Sequence, residues 1–157
     1  MKPLESNDFQ YLPTTPQPLG VWRLKYTTPD LDIDYWIDQC YKIAKITPSV
    51  QKSNKNGYQS PSDLANHPNF LPLVDLLREQ IVLLIKTQNF SIFDLWVNIS
   101  NQGHFNMPHT HGTDMHQYSG VLYLKTPPNC GKIGFINSYN SDGSIMSLAP
   151  TAGDLLI

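Results

Sequence analysis

Charge is scarce in this sequence. Asp, Glu, Lys and Arg make up 15% of its 157 residues, against roughly 25% in ordinary soluble domains. The net charge is −2 and no run of like charges occurs, which excludes a broad nucleic-acid footprint or an anionic-membrane patch. Long apolar runs are also missing: the longest, residues 81–85 (Ile-Val-Leu-Leu-Ile), falls far short of the ~20 residues a spanning helix needs. The opening Met1-Lys2-Pro3-Leu4-Glu5-Ser6-Asn7-Asp8 lacks the apolar core of a secretory signal. Cysteine is limited to Cys40 and Cys130, 90 positions apart. A disulfide between them stays open, but two free thiols in a reducing cytosol fit better. A cytoplasmic chain is therefore expected.

What the sequence does hold is enough apolar material, 40%, for one core and too little length for two. Residues 1–157 are read as a single domain. Five of the thirteen prolines fall in the first 30 residues; between them residues 20–26 alternate as a strand does. Asp30 is a candidate N-cap for a helix in which Leu31, Ile33, Trp36, Ile37, Cys40, Ile43 and Ala44 recur at helical spacing, stopped at Thr47-Pro48. Asn56-Gly57 marks a turn, and His67 precedes a second helix expected over residues 69–86.

From Phe90 the period drops to two. Leu95, Val97 and Ile99 alternate with Trp96, Asn98 and Ser100, and further strands are expected over residues 118–125, 132–136, 144–148 and 154–157. Helices followed by short strands predict an α+β chain: residues 1–89 helical and irregular, residues 90–157 a sandwich or barrel.

Four of the five histidines, His104, His109, His111 and His116, lie within thirteen residues. In an extended chain side chains i and i+2 share a face, so His109 and His111 can chelate one metal ion. His104 and His116 are read as flanking groups, second-rank to the pair. Pro108 restricts Met107 to an extended backbone and fixes the approach to His109.

The order of these features carries a resemblance. Trp96-Val-Asn-Ile-Ser, Gly103-x5-His109-x-His111, Ser119-Gly-Val-Leu-Tyr123-Leu, Gly131-x-Ile-x-Phe135 and Pro150-x-x-Gly153-Asp-Leu-Leu-Ile resemble the motifs of 2-oxoglutarate/Fe(II)-dependent oxygenases. Upstream, Lys52-Ser-Asn-Lys-Asn-Gly57-Tyr-Gln-Ser60 is similar to a segment that family carries before its second helix. The resemblance spans about residues 50–157. It implies N-terminal helices packed on a cupin-like double-stranded β-helix, or jelly roll, and a hydroxylase of unknown substrate.

By the same resemblance His109 and His111 hold Fe(II), with His111 standing where relatives of the prolyl-hydroxylase type carry a carboxylate. Asp114 is the nearest carboxylate but lies off that position. Tyr123, and Asn98 on a neighbouring strand, match contacts to the cosubstrate 2-oxoglutarate; a core tyrosine and a buried, backbone-satisfied asparagine are the plain alternatives. The motif set implies a third metal ligand and a basic cosubstrate anchor beyond Ile157, so the jelly roll is expected to be incomplete at the C-terminus. Rival readings are a cupin-type enzyme with three histidine ligands, and a non-catalytic jelly-roll module. The implied partners are the cosubstrate and a substrate, with neither membrane nor nucleic acid; a homo-oligomer is compatible.

Overall fold

The computed structural model describes residues 9–12, 19–22, 31–111, 118–136 and 145–157. Asp30, Asp114, His116 and residues 23–26 of the first expected strand lie outside them. The chain is mixed α+β and divides into two compact units, residues 38–107 and residues 1–37 with 108–157.

The first helix, α1 (Ile33–Ile46), begins where an aspartate can accept an orphan N–H. Asp32 fills this role: the Tyr35 amide donates to its Oδ1 at 2.9 Å, a side-chain cap three residues ahead. Trp36, Cys40 and Ile43 recur on one face and are buried, as the helical spacing requires. At the other end Thr47 donates through Oγ1 to the Ile43 carbonyl and meets Tyr58 Oη at 2.6 Å.

In the unit formed by residues 38–107, the Asn56-Gly57 turn joins β3 (Asn54–Lys55) to β4 (Tyr58–Gln59), with Asn56 at φ 64°. Turn residues of this kind tolerate the left-handed region. The turn does not pair its own flanks. β3 pairs instead with β6 (Phe105–Asn106), and β4 with β5 (Asn98–Ile99). Asn54, 2% exposed, braces the turn by accepting from the Lys52 amide and donating to the Gly57 carbonyl. Ser60 is wholly buried; its Oγ accepts from the Val97 amide and donates to the Pro61 carbonyl. A 3-10 turn, Leu64–Asn66, leads to α2 (Leu71–Ile85). Pro72 stands in the first turn of α2, where no helical donor is lost, and Lys86 ends the helix in a left-handed conformation. Leu64, Ala65, Phe70, Leu73, Leu77 and Val97 are the buried apolar residues around these elements.

The other unit contains a four-stranded antiparallel sheet. Its order is β1 (Phe9–Leu12), β2 (Leu19–Trp22), β10 (Leu155–Leu156), β7 (Val121–Leu122). Leu155 and Leu156, both 3% exposed, form its centre. Beside Leu156, Gly120 leaves room for backbone: a Cβ there would lie 2.9 Å from the Leu156 carbonyl oxygen. A separate antiparallel pair joins β8 (Ile133–Ile136) to β9 (Ile145–Leu148).

Both expected helices and the three strands nearest the C-terminus are present. The stretches at residues 90–100 and 118–125 contain no helix, yet their ladders are shorter than expected, two residues each. A closed double-stranded β-helix is not formed among the described residues. Strand β1 was hidden by the prolines around it. No helix among the described residues is long and apolar enough to cross a membrane.

Candidate metal centre

His109 and His111 follow Met107-Pro108 in a segment without ladder pairing among the described residues. Their rings converge nonetheless. The centroids lie 4.8 Å apart at an interplanar angle of 66°, and the two Nε2 atoms are 3.1 Å apart. An extended i, i+2 spacing suffices for this, with or without a neighbouring strand.

That separation has chemical content. With metal–nitrogen bonds of about 2.1 Å, nitrogens 3.1 Å apart subtend about 95° at a shared ion. Adjacent octahedral or square-planar positions require about 90°. A tetrahedral ion would need the nitrogens about 3.4 Å apart at the same bond length. The spacing of the pair therefore matches that of a cis chelate on an ion such as Fe(II), Ni(II) or Cu(II).

The protonation state also suits a ligand. At 3.1 Å the two Nε2 atoms are within hydrogen-bond distance, and either can be the donor, depending on the tautomer. Partial desolvation, then the charge of His109, holds the His111 ring below its ordinary pKa. The neutral imidazole that a metal requires is thereby favoured. Among the described residues no third His, Cys, Asp or Glu joins the pair as a ligand group.

Tyr123 belongs to the same compact unit. Its backbone is fixed by two bonds to the turn before β10: its N–H donates to the Asp154 carbonyl at 2.9 Å, and its carbonyl accepts from Gly153 at 2.7 Å. The side chain is half-buried. Burial, then the neighbouring Cys130 and Asp154, push the phenol up to about 12. It is thus a neutral donor across the physiological range, and Asp154 is a neighbour that the sequence motifs did not single out. The signal was available as a Thr-x-Gly-Asp turn leading into an apolar strand.

Asn98 lies in the other unit, on β5, and is exposed; the buried, backbone-satisfied alternative does not describe it. His104 closes the turn between β5 and β6 by accepting the Asn101 amide at Nδ1. His67 accepts the Asn69 amide at Nδ1, a turn role ahead of α2. No family model, characterised protein or solved structure matches the chain.

Proposed function

We propose that this chain carries metal-binding residues of an Fe(II)- and 2-oxoglutarate-dependent oxygenase, a hydroxylase of the cupin-like jelly-roll type. The observation that carries the reading is the convergence of the His109 and His111 Nε2 atoms to 3.1 Å. The ordered motifs of residues 50–157 add support, as does the antiparallel arrangement of β7, β10 and β2. Bound Fe(II) would supply oxidative decarboxylation of 2-oxoglutarate and hydroxylation of a C–H bond.

The chain's own contribution is positional. His109 and His111 would hold the ion. Tyr123 offers a phenol proton to the distal carboxylate of 2-oxoglutarate, a charge-assisted bond that strengthens in a half-dry setting. Two free cysteines support a cytoplasmic location. Asn98, in the other unit, is not needed for this reading.

One observation favours a second reading. Both ligands are imidazoles, and a pair without a carboxylate also suits a cupin-type enzyme with three histidine ligands. The two separate on cosubstrate. The test is anaerobic loading of the full-length protein with Fe(II), followed by titration with 2-oxoglutarate under a visible-absorption readout. A metal-dependent charge-transfer band on adding 2-oxoglutarate is expected. Metal uptake without that band favours the three-histidine enzyme, and no metal uptake refutes both.

A further inference from the structure

Asp154 is 2% exposed, and a carboxylate is costly to bury unless donors are aimed at it. Thr151 supplies two. Its backbone N–H donates to Oδ2 at 2.8 Å and its hydroxyl donates to Oδ1 at 2.9 Å. The Asp154 amide returns a bond to the Thr151 carbonyl at 3.0 Å, and Gly153 between them takes φ 87°. The side chain thus locks a four-residue turn from within.

The locked turn is what grips Tyr123. Gly153 and Asp154 provide both partners of the Tyr123 backbone, one residue beyond the β7–β10 ladder. A turn needed only to reverse the chain could use a neutral cap. A buried aspartate adds a fixed negative charge close enough to the phenol to raise its pKa, so one residue fixes the backbone of Tyr123 and helps keep its proton in place.

We infer that Asp154 is a positioning residue, which through the Thr151–Asp154 turn sets the phenol of Tyr123 for hydrogen bonding to the carboxylate of 2-oxoglutarate. This rests on the proposed oxygenase reading. Asp154 touches neither metal nor cosubstrate in this role.

Two variants divide the functions. Thr151→Val removes the hydroxyl donor and keeps the charge; Asp154→Asn keeps the shape and removes the charge. Full-length protein loaded with redox-inert Ni(II) is titrated with 2-oxoglutarate, and the Tyr123 ring is followed in the metal-free protein by NMR with ring-labelled tyrosine assigned through Tyr123→Phe. Near pH 10.5 a phenol with pKa about 12 is about 3% ionised. Asp154→Asn is expected to raise that fraction and to weaken 2-oxoglutarate about tenfold. Thr151→Val is expected to weaken 2-oxoglutarate several-fold and to move the ring signal without raising the ionised fraction. Unchanged or tighter binding in both variants overturns the positioning role. If wild-type protein takes up Ni(II) but not 2-oxoglutarate, the oxygenase reading fails instead. The ring signals then decide the Asp154–Tyr123 coupling alone, and signals unmoved in both variants overturn it.

Discussion

Adding one methyl group at Gly120 tests the packing that holds Tyr123 in place. Backbone propensity alone predicts that Gly→Ala stabilises a chain by about 0.4–1 kcal/mol, through a less disordered unfolded state. Packing predicts the opposite sign here. The new Cβ would lie 2.9 Å from the Leu156 carbonyl oxygen and 3.3 Å from Ile157 Cγ1, so about 0.5 Å must be absorbed to reach ordinary contact. The oxygen cannot give way cheaply, because β10 is an interior strand paired to β2 on one side and β7 on the other. Overpacking of this kind costs about 1–3 kcal/mol, leaving a net loss of about 1–2 kcal/mol. For a chain of this length that lowers Tm by roughly 2–8 °C. Gly131→Ala is the matched control, since nothing lies within 4 Å of its added Cβ; it should be neutral or slightly stabilising. Thermal unfolding followed by circular dichroism measures both. A Gly120→Ala variant as stable as wild type, or more so, refutes the β7–β10 register.

His109→Ala and His111→Ala should each lower Ni(II) affinity at least tenfold by calorimetry, because either change turns a chelate into a single ligand. The depressed His111 pKa means the folded chain binds fewer protons there than the unfolded chain, so stability falls with pH through the window below about 6.5. Metal uptake should fall in the same direction, and uptake that rises on acidification would contradict the neutral pair. Burial holds the Cys40 thiol at about 11, about 100-fold less thiolate at neutral pH than a thiol of pKa 9. A thiol-reactive reagent should therefore label half-buried Cys130 first and Cys40 only on unfolding. Ser60→Ala removes the acceptor of the buried Val97 amide and should cost about 1–3 kcal/mol in urea unfolding.

The helices were legible because each carries its instruction locally. Apolar residues at helical spacing, Thr47-Pro48 after α1 and Pro72 inside the first turn of α2 place both to within about two residues. The strands were legible by face rather than by length. Val97 is buried while Asn98 and Ser100 are exposed, as period two requires, yet only Asn98–Ile99 forms a ladder. Alternation reports which side chains face inward; ladder length depends on partners elsewhere in the chain. The β3–β4 region shows the same limit. Asn56-Gly57 announced a turn, and the turn is there, but its flanks pair with β6 and β5, which no local signal encodes. Asp30, read as the cap of α1, lies outside the described residues, and Asp32 accepts the Tyr35 amide.

The candidate site divides along the same line. The His-x-His spacing was enough to bring two imidazole nitrogens within 3.1 Å, because an extended backbone does this without tertiary help. The bond between Tyr123 and the 151–154 turn needs residues about thirty positions apart to meet, so the motif order placed both pieces without showing that one holds the other. Asp154 stood in the Pro150-x-x-Gly153-Asp motif without a role, because an Asp after a glycine reads as an ordinary turn residue. Only its 2% exposure and its two donors from Thr151 mark it as fixed. A buried charge beside a half-buried phenol leaves each sensitive to the other, whereas the exposed His pair can be altered with little consequence for the fold. Substitutions at the two places should therefore separate cleanly: His109 and His111 variants lose metal with Tm unchanged, and Asp154 variants lower Tm while the metal pair stays competent. A His111→Ala variant that lost several degrees of Tm would show that the pair is part of the core rather than an open chelate.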